Sequence, residues 1–67
     1  MAVNIDEREI RIERYGRGYI ITRPTNDNWE EYAGVSLDWR RQPIVDDPFP
    51  TEDEARVAIA MIRIRSL

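Results

Sequence analysis

The chain has no histidine, no cysteine and no lysine. The first absence removes the side chain that titrates nearest neutral pH, the second removes thiolates and disulfides, and the third removes amine nucleophiles. Imidazole and thiolate metal ligands go with them. Glycine is scarce at three residues, and the longest apolar run, Val57 to Ile62, falls far short of the roughly 20 residues that span a bilayer. The N-terminus shows no basic region followed by an apolar core, so the sequence predicts a cytoplasmic protein without a targeting segment.

What is present is charge. Thirteen carboxylates face ten arginines in 67 residues, a net charge of −3. At 42% hydrophobic and 34% charged, the chain has the make-up of a folded domain, and its length allows one. A core of this size gives only a few kcal/mol of net stability, and no disulfide supplements it. The charge is unevenly placed. Residues 1–25 carry +1 and residues 55–67 carry +3, while 26–54 set nine carboxylates against Arg40 and Arg41, a balance of −7. Segregation of this kind bears on partners rather than on fold.

From Glu9 to Tyr15, Ile10 and Ile12 alternate with Glu9, Arg11 and Glu13, the period of a half-buried strand. Gly16-Arg17-Gly18 offers a turn, and the β-branched and aromatic run Tyr19-Ile20-Ile21-Thr22 follows, so strands over about 9–15 and 19–23 form a hairpin with Ile12 facing Ile21. Pro24 and the polar run from Thr25 to Asn28 then turn the chain. Val35, Leu37 and Trp39 alternate with Ser36 and Asp38, which predicts a third strand over about 32–39 with Gly34 as a bend or bulge. Residues 42–50 hold Pro43, Pro48 and Pro50 and read as a connecting loop.

Thr51-Glu52-Asp53-Glu54 has the pattern of a capping box, with carboxylates at the helix start and Arg63 and Arg65 at its end, so a helix is expected over about 52–65. At 100° per residue this helix has two apolar stripes. Ala55, Ala58, Ile59 and Ile62 form one; Val57, Ala60, Met61 and Ile64 form the other. A small sheet covers one stripe. Either the Pro-rich loop folds Ile44, Val45 and Phe49 over the second, or the N-terminal residues do, or Val57, Met61 and Ile64 form a dimer face. The fold class expected is α+β: a three-stranded antiparallel sheet followed by one C-terminal helix in a single domain.

No catalytic residue, cofactor site or metal site is expected. The segment Asp46 to Glu54 lacks the glycine and the alternating spacing of a calcium loop, and so short a chain leaves little volume for a substrate cleft. Tyr15-Gly16-Arg17-Gly18-Tyr19 interleaves arginine with aromatics as a base-stacking platform does, but a hairpin turn accounts for both glycines. The partner-binding candidates are Asp27, Glu30, Glu31, Asp38, Asp46 and Asp47 as an acidic rim and Trp29, Tyr32 and Trp39 as aromatic anchors, each of which could equally serve turns, solvation or the core. Such a face suits a protein partner with a basic surface.

A short, acidic, cysteine-free domain, with aromatics and carboxylates crowded into Trp29 to Asp47 and no enzyme motif, resembles the small phage-borne anti-CRISPR inhibitors. The resemblance implies stoichiometric inhibition of a CRISPR effector complex in the host cytoplasm, by covering an Arg/Lys surface that would otherwise hold DNA, a form of DNA mimicry. These inhibitors share no common pattern, so no residue role is carried over. Two other functions fit the composition: a homodimeric structural or regulatory module, and a nucleic-acid binder that uses the ten arginines.

Overall fold

A computed structural model of the chain describes residues 9–25 and 27–65. Strands β1 (Arg11–Tyr15), β2 (Gly18–Pro24) and β3 (Glu30–Ala33) form an antiparallel sheet in the order β1-β2-β3, and helix α1 (Glu52–Arg65) follows. This is the expected α+β architecture.

The β1–β2 hairpin turns at Gly16, which takes a φ of 60° that an L side chain rarely adopts. Its register sets Ile12 opposite Ile21 and Arg14 opposite Tyr19. Alternation then sends Ile21 and Ala33, both fully buried, to the face that packs on the helix. Ile10, just ahead of β1, joins them with Phe49, Ala55, Ala58 and Ile59 in one core.

The third strand lies earlier than the alternation of Val35, Leu37 and Trp39 predicts. β2 turns into β3 through a tight loop in which Thr25 N–H donates to Trp29 O at 2.8 Å, Trp29 N–H donates to Thr25 Oγ1 at 3.2 Å, and Asn28 takes a φ of 66°. That closure fixes Pro24 opposite Glu30, so the strand begins at Glu30. It stops at Ala33, because Leu37 N–H donates to Gly34 O at 2.9 Å and folds residues 34–37 into a turn. Val35, Leu37 and Trp39 therefore occupy the turn and the returning segment, which meets Tyr32 again at Arg40 through reciprocal backbone bonds of 2.6 and 2.9 Å.

The Pro-rich loop goes elsewhere than over the helix. Val45, itself buried, donates its N–H to the Tyr15 hydroxyl at 3.1 Å, on the sheet face that also carries Ile20 and Thr22. Asp47 accepts Val35 N–H through its backbone oxygen at 2.7 Å, beside Gly34. A Cβ on Gly34 would collide with Asp47 O and stand 2.7 Å from Val45 Cγ1, so only glycine lets the loop cross here. Phe49 then pairs with Tyr19 on the edge of β2 through bonds of 2.7 and 2.8 Å, and its side chain enters the core between sheet and helix.

Helix α1 matches the expected limits. Glu54 N–H donates to Thr51 Oγ1 at 3.2 Å, and the Thr51 hydroxyl donates to the Glu54 carboxylate rather than leaving that carboxylate to reach the backbone. Arg56 pairs with Glu52 one turn back at 2.8 Å. The stripe Ala55, Ala58 and Ile59 is buried against the sheet.

Candidate protein-binding surface

The acidic rim is divided by the strands that carry it. Glu30 and Glu31 alternate along β3 and so leave the sheet on opposite faces. Glu30 shares its face with Arg11 of β1, whose guanidinium reaches it at 2.6 Å, and Glu31 lies opposite Arg23 of β2, which reaches it at 2.9 Å. The second pair is the more sheltered, its side chains only about a fifth exposed, and the same guanidinium stacks 4.1 Å from the Trp39 ring centroid. Stacking and ion pairing together make Arg23 the clamp between β2, β3 and the returning segment.

Asp27 and Asp38 are likewise engaged. The Asp27 carboxylate accepts the Thr25 hydroxyl at 2.5 Å and Arg41 at 2.7 Å; the hydroxyl bond first, and the guanidinium with it, outweigh the opposing desolvation and hold its carboxyl below the usual range. Asp38 pairs with Arg40 at 3.1 Å, with both side chains more than half exposed. Exposed pairs of this kind are screened by solvent, so they shape the surface potential more than they stabilise the fold.

Asp46 and Asp47 stand apart from these pairs. Asp47 accepts Ser36 N–H through Oδ2 at 2.7 Å and so braces the turn at residues 34–37. Asp46 is exposed and, among the described residues, forms no ion pair. With Ser36, Asp38, Arg40, Ile44 and Asp47 it lines an open cleft of about 270 Å³. Ile44 is 60% exposed at that cleft. The structure thus brings Asp38, Asp46 and Asp47 together and sets Asp27, Glu30 and Glu31 elsewhere.

The three aromatic candidates have three environments. Trp29 is 58% exposed at the β2–β3 loop, whereas Trp39 is half-buried against the core beneath Arg23. Tyr32 is half-buried beside Glu30, whose carboxylate accepts its hydroxyl at 3.4 Å. Partial burial, reinforced by that carboxylate, raises the Tyr32 phenol above its ordinary value.

Sequence reasoning missed the exposed apolar residues Val35, which it placed in a strand, and Ile44, which one of its three alternatives folded over the helix. It also missed the cross-strand partners Arg11 and Arg23, for which the hairpin register was an available signal. The other candidate surface, Val57, Met61 and Ile64, is bare: the three are 59%, 48% and 68% exposed. Of the loop residues expected to cover them, only Phe49 reaches the helix, and it sits in the core. Cover by the N-terminal residues 1–8 concerns a segment outside the described residues.

Among the described residues, no three Asp or Glu side chains converge as metal ligands would, and no helix is long and apolar enough to cross a membrane. No protein-family model, curated protein or solved structure matches the chain.

Proposed function

We propose that the protein is a binding module that docks on a basic surface of a larger protein through the cleft between the turn at residues 34–37 and the Pro-rich loop. One observation supports this above the others: Asp38, Asp46 and Asp47 line the same cleft as the exposed Ile44. An apolar contact flanked by carboxylates is complementary to an Arg/Lys surface that also offers an apolar foothold. Trp29 offers a further exposed aromatic anchor at the far end of β3.

The narrower reading is an inhibitor that covers the DNA-binding surface of a CRISPR effector complex, and the whole-chain resemblance supports it. The arginine-based nucleic-acid reading gains less from the geometry, since Arg11, Arg23, Arg40, Arg41 and Arg56 are each engaged with a carboxylate.

The test is capture from a bacterial lysate on the immobilised chain, with the bound proteins identified by mass spectrometry and compared with capture on Asp46→Arg/Ile44→Glu. Both positions are exposed, so the variant keeps the wild-type circular dichroism and melting curve. Loss of a basic protein from the captured set supports the reading, and its unchanged retention contradicts it. For the narrower reading, purified effector complexes are titrated with the chain in a mobility-shift assay; undiminished DNA binding by all of them removes it.

A further inference from the structure

We propose that the bare stripe of α1 is a self-interface through which two copies pack their helices antiparallel about a two-fold axis near Ala60. Glu54, Val57, Met61, Ile64 and Arg65 follow one another at spacings of three, four, three and one, so they share one side of the helix. The stripe is apolar in the middle, acidic at its start and basic at its end. An antiparallel partner sets Glu54 beside Arg65 of the other copy, twice, and opposes the two helix dipoles. A parallel partner would set glutamate on glutamate and arginine on arginine. The charge order therefore selects a second copy in one orientation.

The surface beside the stripe has the shape such a partner needs. Val35, Leu37 and Phe49, with Val57 and Met61 of the helix, line a groove of about 320 Å³ that ends at Glu54. In the antiparallel arrangement Ile64, the most exposed large apolar side chain among the described residues at 68%, comes over this groove in the partner while its neighbour Arg65 comes to Glu54. The two-fold repeats the insertion in the other direction. Ala60, exposed beside Met61, lets the helices approach closely.

A specific interface of standard size removes about 800 Å² from each partner. One stripe of a helix about 21 Å long, widened by Val35 and Leu37, offers less than a standard interface, so the dimer is expected to be weak and its population to depend on concentration. The groove and the Asp46 cleft adjoin through the turn at residues 34–37 but share no lining residue.

Sedimentation equilibrium of the full chain from about 1 μM to about 1 mM tests the proposal. The expected mass rises from 7.9 kDa to twice that value. Met61→Glu and Ile64→Glu, each at an exposed position, weaken the dimer by about 100-fold with the circular dichroism unchanged, as expected for central anchors. Arg65→Glu alone weakens it by about tenfold, and adding Glu54→Arg restores it. A chain that stays monomeric to the highest concentration overturns the proposal, as does a dimer that survives both apolar variants. A charge swap that fails to restore association overturns the antiparallel arrangement.

Discussion

Ile20 and Ile21 leave β2 on opposite faces and are both buried, at 2% and 0% exposed, whereas Ile59 and Met61, two residues apart on α1, are 7% and 48% exposed. The helix packs on one face of the sheet and the Pro-rich loop meets the other at Tyr15 and beside Gly34; among the described residues, the helix is covered on one stripe alone. One loop cannot do both. Tied to Tyr15 through Val45 and to Val35 and Ser36 through Asp47, it crosses the far face of the sheet and leaves the second helix stripe in solvent. Similar apolar content therefore has different consequences in the two elements. In the sheet it closes the fold, and on the helix it remains available for association.

The contrast is sharpest in a pair of substitutions. Ile59→Ala removes buried contacts and is expected to cost about 2–5 kcal/mol in urea unfolding, while Met61→Ala, measured on the monomer at low concentration, changes stability by about 0.5 kcal/mol or less. Comparable costs at the two sites would mean that the second stripe is covered. Gly34→Ala addresses the loop: its Cβ has no room beside Asp47, so stability falls by about 1–3 kcal/mol as the crossing is forced apart. A neutral result would place the loop off the sheet.

Thr22 refines the account of the loop-covered face. It is fully buried and its Oγ1 has no hydrogen-bond partner among the described residues, so Thr22→Val replaces an unsatisfied hydroxyl with a methyl and is expected to stabilise the fold by about 1 kcal/mol. The smallest effect is a titration. Folding favours the neutral Tyr32 phenol, so its contribution is complete below the ordinary value of 10.0 and is lost as pH rises through the higher folded value. Tyr32→Phe should remove a phenolate absorbance step above pH 10 and flatten the fall in melting temperature there.

What was legible in the sequence was local. The Gly16 turn and its neighbours determine the hairpin and the Ile12–Ile21 register, and Thr51 with Glu54 determines where the helix starts, because each acts over a few residues. The third strand was obscured because Glu30-Glu31-Tyr32-Ala33 lacks β-branched residues, while Val35, Leu37 and Trp39 mimic a strand's period across a turn. In that turn Leu37 takes a φ of 60°, a conformation its side chain disfavours, held by packing on the core. The loop's route depends on contacts distant in sequence: Val45 with Tyr15, Phe49 with Tyr19, Asp47 with Val35. The candidate carboxylates were legible as a group, but their division among arginine partners followed only once the register was known.

The distinction between the covered and the bare stripe is tested most directly by ¹⁵N–¹H correlation spectra of the wild-type chain recorded over a dilution series. The account predicts concentration-dependent shifts at Val35, Leu37, Val57, Met61 and Ile64, with Ile20, Ile21 and Val45 unmoved. Spectra that do not change with concentration, or shifts centred on the sheet, would contradict it.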